Sequence, residues 1–138
     1  MVQVLAANLE YAPASRSIAA REFPARTACS LRAASTAAHF AHLLTPSYAQ
    51  HIALNTFYDD IIDVADAFAE GFIGRFGKFD AFPNVKESST DGLTIVGNLT
   101  KWIDANRGVI AENPEIQNDI DAILSLCNST AYKLRELK

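Results

Sequence analysis

Residues 39–70 read HFAHLLTPSYAQHIALNTFYDDIIDVADAFAE, and their periodicity sets the fold. Leu54, Tyr58, Ile61, Ala65, Phe68 and then Phe72 recur at intervals of 4, 3, 4, 3 and 4 residues. That is the apolar seam of a helix packed in a bundle. Asp59, Asp63, Asp66 and Glu70 recur at 4, 3 and 4 off that seam, a second face open to solvent, a partner or a metal. Thr45-Pro46-Ser47 interrupts the pattern. Proline disfavours helix in the residue before it and suits the first turn of the helix after it. The stretch therefore predicts the end of one helix and nearly all of a second, from Pro46 or Ser47 to Phe76.

Working outward, Ala28, Leu31, Ala34, Ala38, Ala41 and Leu44 repeat at threes and fours, which predicts a first helix over 25–44. Its many alanines favour helix and permit close approach of a neighbour. Residues 78–89, KFDAFPNVKESS, read as a loop. Ser89 or Thr90 can cap a third helix over 91–112, with Leu93, Val96, Leu99 (or Thr100), Ile103, Val109 and Ile110 on its buried face. Pro114 and Glu115 fit the first turn of a fourth helix, 114–137, with a stripe of Ile116, Ile120, Ile123, Leu124, Cys127, Ala131, Leu134 and Leu137. No alternating strand pattern occurs. The expected fold is all-α: a four-helix bundle of ferritin-like type over 25–138, preceded by an N-terminal arm or tail over 1–24.

A chain of 138 residues suffices for one domain with a real core. A net charge of −4 argues against a dedicated nucleic-acid binder, whose affinity comes from clustered Lys and Arg. The tail, with Arg16 and Arg21 set against Glu10 and Glu22, does not support DNA binding either. No apolar run approaches the roughly 18 residues of a membrane span, and the N-terminus makes a poor secretory signal. Cys29 and Cys127 read as small buried residues of a reducing compartment. The expected location is the cytoplasm, with virion association left open.

The three histidines, His39, His42 and His51, all lie in the opening stretch. Imidazole with carboxylate suits iron, zinc or manganese. Asp66 and Glu70 share one helix face. On an unbroken helix, His51 and Asp66 stand about 22 Å apart at 1.5 Å rise per residue, too far for one metal within one chain. The turn at Pro46 can bring His39 and His51 together. The arithmetic gives two half-sites, one of histidines and one of carboxylates, that an antiparallel second copy would join across a two-fold axis. The plainer reading of Asp59–Glu70 is a solvated acidic face. His42 reads as an auxiliary ligand or proton carrier, and Tyr58 and Trp102 as packing residues.

The spacing of His39, His51, Asp66 and Glu70, with Phe40, Tyr58 and Ala69 around them, resembles the ligand pattern of the Dps family, the mini-ferritins. The resemblance covers 39–71. It implies that these four residues are the metal ligands and catalytic residues of a ferroxidase centre shared between two-fold-related subunits. It also implies a dimer as building unit and a dodecameric shell that stores ferric iron. Asn55, Phe40 and Gly71 depart from the family's usual acid, Trp and Arg, and the family's extra helix between the second and third helices is expected to be short or absent.

Two functions follow as expectations. The first is a Dps-like ferroxidase, an oxidoreductase that oxidises Fe(II) and stores the ferric product, with zinc or another divalent metal as the alternative occupant. In that reading Glu115, Asp119 and Asp121 would line an iron-access pore. The second is a non-catalytic ferritin-like bundle used as a structural or assembly module, in a virus-encoded setting among others.

Overall fold

The computed structural model describes residues 14–110 and 112–138, and side chains from Glu22 onward. It is all-α: α1 (Ala14–Leu44), α2 (Tyr48–Phe76), α3 (Gly92–Asn106) continued by a 3-10 turn (Arg107–Ile110), and α4 (Pro114–Glu136). No strand is present among the described residues. α1 packs on α2 and α3, and α4 packs on the same two helices. The order around the bundle is thus α1, α2, α4, α3, with α2 and α3 on a diagonal.

The caps explain where α2 and α3 begin. Ser47 accepts a hydrogen bond from the Gln50 main-chain N–H at 3.2 Å, satisfying a donor that the first turn leaves free. α2 ends at Gly77, whose φ of 93° suits a residue without Cβ. At α3 the cap is Asp91, not Ser89 or Thr90. Asp91 accepts from the Thr94 N–H at 3.0 Å, while the Ser89 hydroxyl accepts from the Asp91 N–H at 3.1 Å. Ser89 is thus spent on holding the capping residue in place.

α1 departs most from the sequence expectation. It begins by Ala14 and runs through Pro24, so the part of the expected arm over 14–24 is helix. Residues 1–13 lie outside the described residues. A proline inside a helix loses one hydrogen bond and costs about 3 kcal/mol. Against that, Phe23 is fully buried, edge-on to Phe68 and stacked on Trp102. Tertiary packing of this anchor outweighs the local penalty.

Leu54, Ile61, Ala65, Phe68 and Phe72 of the predicted α2 seam are buried. Tyr58 is only half-buried and Phe57 takes the core position. Leu44 and Leu137, expected inside, are exposed, because each stands at a helix end beyond the reach of the opposite helices. Ile95, unassigned by the pattern, is fully buried.

Two glycines fix the topology. A Cβ on Gly92 would meet Leu54 Cδ2 at 2.8 Å and Leu134 Cδ1 at 3.2 Å, so α3 starts beside the start of α2 and the end of α4. A Cβ on Gly71 would meet Asp119 Oδ2 at 2.9 Å, which sets the end of α2 against the start of α4. The connection over 77–91, with no helix of its own, therefore runs the length of the bundle. A single long crossover of this kind is one of the known four-helix arrangements. It leaves the α1–α2 hairpin with an outward face that no other helix covers.

Candidate functional site: the hairpin end and its histidine cluster

The turn between α1 and α2 is held by its histidines. His42 Nδ1 lies 2.7 Å from the His51 carbonyl oxygen, and His51 Nδ1 lies 2.9 Å from the His42 carbonyl oxygen. A carbonyl only accepts, so both Nδ1 atoms carry hydrogen and donate. The rings stack at 3.6 Å between centroids. When neutral, each imidazole must keep its lone pair on Nε2. Thr45 closes the turn by donating to Gln50 Oε1 at 2.8 Å.

His39 is exposed and stacks on Tyr58 at 4.5 Å. The Tyr58 hydroxyl donates to Asn55 Oδ1 at 2.8 Å, and Asn55 Nδ2 donates to Asp59 Oδ2 at 3.4 Å. Asn55 is thus engaged as a bridge between Tyr58 and Asp59. Asp66 and Glu70 are exposed farther along α2. Because α2 is unbroken, they stay about 22 Å or more from His51 within one chain. Among the described residues no three His, Cys, Asp or Glu side chains stand close enough to hold a metal ion together.

The pattern reading missed the large apolar side chains around the cluster. Phe40 is 55% exposed, Leu43 64%, Leu44 66%, Tyr48 78% and Ile52 48%. A signal for them was present in the letters: residues 33–58 contain no Asp, Glu, Lys or Arg, in a chain that is 20% charged. A solvated helix end normally carries charge. Depletion of charge with aromatic enrichment marks the centre of an interface instead.

Farther along the same hairpin lies a cleft of about 790 Å³, lined by Cys29, Ala33 and Thr36 of α1 and by Ile62, Asp66 and Ala69 of α2 among others. The crossover closes one side with Phe82 and Val85. Both cysteines are free thiols. Burial raises the Cys127 thiol to about 11, only partly offset by a hydrogen bond with Thr100. Burial also raises Cys29, against the pull of Arg26.

The carboxylates expected at an iron-access pore are engaged otherwise. Arg75 pairs with Glu115 at 3.5 Å and Arg107 with Asp121 at 2.7 Å. Asp119 rests in the space Gly71 leaves open, and burial together with Glu115 holds it above the ordinary carboxylate value.

Comparison with known proteins places the chain. A family model described as "Family of unknown function (DUF5856)" matches residues 42–134. The chain belongs to DUF5856. The Dps resemblance is thereby corrected: the spacing of four polar residues recurs here in a different family, on a helical hairpin whose histidine turn and 4-3-4 acidic face suffice to produce it. A relative of this DUF5856 chain is the uncharacterized 14.6 kDa protein of the mobD-ri intergenic region of Enterobacteria phage T4. It is 29% identical over 107 residues, covering 75% of this chain and 81% of the relative. No solved structure matches. No helix among the described residues is long and apolar enough to cross a membrane.

Proposed function

We propose that this DUF5856 protein is a non-catalytic assembly module, a helical bundle that associates with copies of itself. The observation that carries this reading is the hairpin end. Five large apolar side chains stand exposed there, within a run free of formal charge. Together they present on the order of 500 Å² of apolar surface, taking an aromatic side chain at roughly 150–250 Å². That is the upper part of the roughly 300–600 Å² patch found on ordinary monomers. It also equals the apolar share of a stable interface, which buries about 800 Å² per partner. A phage relative with no described activity is compatible with a structural role. Mass measurement in solution tests the reading. The wild-type chain is expected as a dimer or larger, and Tyr48→Glu as a monomer with unchanged helical circular dichroism. A monomeric wild type at working concentrations overturns it.

A second reading, Fe(II) oxidation between subunits, is supported by one observation. His51 donates through Nδ1 to a main-chain carbonyl, the orientation in which a histidine offers Nε2 to a metal. His39 and His51 of one copy would then act with Asp66 and Glu70 of another, with iron as substrate. Aerobic Fe(II) oxidation by wild type, His51→Ala and Asp66→Ala tests it. Equal rates for all three remove the reading.

A further inference from the structure

The α1–α2 hairpin is bulky at one end and recessed at the other, and both ends lie on one face. Along α1 the positions Cys29, Ala33, Thr36, Phe40 and Leu43 follow at 4, 3, 4 and 3. Along α2 the positions Tyr48, Ile52, Asn55, Asp59, Ile62, Asp66 and Ala69 follow at 4, 3, 4, 3, 4 and 3. Residues so spaced line one side of a helix. The cleft occupies the Cys29–Ala33 and Ile62–Ala69 half of this face. The exposed apolar patch occupies the other half.

The two halves are also matched in register. The Ser35 hydroxyl donates to the Tyr58 carbonyl at 2.9 Å, so these residues stand at one level of the hairpin. On α1, Leu43 and Cys29 lie about 10 Å to either side of Thr36, at 1.5 Å per residue. On α2, Tyr48 and Ala69 lie about 16 Å to either side of the Tyr58–Asp59 level. A two-fold axis crossing the helices at that level, in the plane of contact, lays each bulky half on a recessed half. Both contacts then form at once, as an isologous pair requires.

Size and charge agree with a second copy as the occupant. An apolar cavity of about 150 Å³ takes one benzene ring, so a cleft of about 790 Å³ has room for several side chains. The bulky half brings no formal charge to be stripped of water. The recessed half carries Arg32, Asp63 and Asp66 at the cleft. The same axis sets His51 of one copy opposite Asp66 of the other.

We propose that two copies pair through the outward face of the α1–α2 hairpin, the Phe40, Leu43, Tyr48 and Ile52 end of each seated in the cleft of the other. This rests on the self-association proposed above and assigns its register. Cys29 supplies the test. In the full chain carrying Leu43→Cys, mild oxidation with copper-phenanthroline is expected to link the new thiol to Cys29 of the other copy. The covalent dimer should show on a non-reducing gel, with the cross-linked peptide pair identified by mass spectrometry. Adding Cys29→Ala should abolish it, and Tyr132→Cys on α4 should give no link to Cys29. If solution mass gives a dimer but no Leu43→Cys to Cys29 link forms, the register is overturned while self-association stands. A monomeric mass overturns both.

Discussion

His42 and His51 each donate a hydrogen bond to the other's main-chain carbonyl, at 2.7 and 2.9 Å, with their rings stacked between. The pair closes the end of the hairpin from both helices at once. The His42 carbonyl needs such a donor, because the residue four places on is Pro46, which has no N–H to offer it. The turn keeps its shape without charged side chains, which leaves its outer surface free to be apolar.

His42→Ala should therefore destabilise the fold by about 1.5–2.5 kcal/mol, from one lost hydrogen bond at about 1 kcal/mol and the lost stacking, while His51 still donates to the main-chain carbonyl of residue 42. His51→Ala removes the same stack. The double variant should then cost less than the sum of the two, by roughly 0.5–1.5 kcal/mol. Urea denaturation of the four proteins measures the coupling. Strict additivity would mean that the two rings do not act as a unit.

Thr27 and Trp102 make a second polar contact, midway along α1. The indole N–H donates to the Thr27 hydroxyl at 3.1 Å, and Thr27 is fully buried. Thr27→Val keeps the shape and leaves the N–H without that partner, a loss of about 1–3 kcal/mol. The chain has a single tryptophan, so its fluorescence reports both unfolding and the local change. An unaltered emission maximum together with unaltered stability would show that the bond contributes nothing.

Helix type and the hairpin turn were legible in the letters because 3.6-residue periodicity and Pro46 act locally. Pro24 misled for the same reason. Its local penalty is visible, but the burial of Phe23 between Phe68 and Trp102 depends on helices far away in sequence. Tyr58 and Phe57 are adjacent, and a seam drawn one residue off is equally regular. Only the neighbouring α1 decides which ring is inside. At the site, periodicity placed His39 and His51 near the turn and Asp66 and Glu70 together on α2. It could not show that His42 is the partner locking His51, since that depends on how the two chain segments face each other across the turn. The exposed patch is hidden in the letters because apolar residues at threes and fours look the same whether they face a core or a second molecule. The missing charges over 33–58 are what distinguish the two.

The two thiols should separate cleanly in the folded protein. Cys127 is buried and raised to about 11, so iodoacetamide near pH 8 should leave it unlabelled until the chain unfolds, while half-exposed Cys29 labels slowly. The pH dependence follows in sign. Between the ordinary thiol value of 9.0 and about 11, the folded state binds the Cys127 proton and the unfolded state releases it. Stability from this group is present below 9 and lost as pH rises toward 11. Cys127→Ala lowers stability at neutral pH through its cavity but should flatten that alkaline limb. Denaturation midpoints from pH 8 to 11 measure it, and an equally steep limb in the variant would assign the loss to other groups.

Gly74 and Gly92 should respond in opposite directions to the same added methyl. Gly74 lies in the last turns of α2, and an added Cβ there would have nothing within 4 Å. Gly74→Ala should stabilise by roughly 0.5–1 kcal/mol, because alanine loses less backbone freedom in a helix. At Gly92 the methyl would strike Leu54 and Leu134 at 2.8 and 3.2 Å. These are the methyl ends of buried leucines, which must turn within a packed core to make room. Gly92→Ala should cost about 1–3 kcal/mol. Urea midpoints for the two variants decide the matter. If Gly92→Ala proved neutral, the ends of Leu54 and Leu134 would have room to turn aside and the close approach would set no cost.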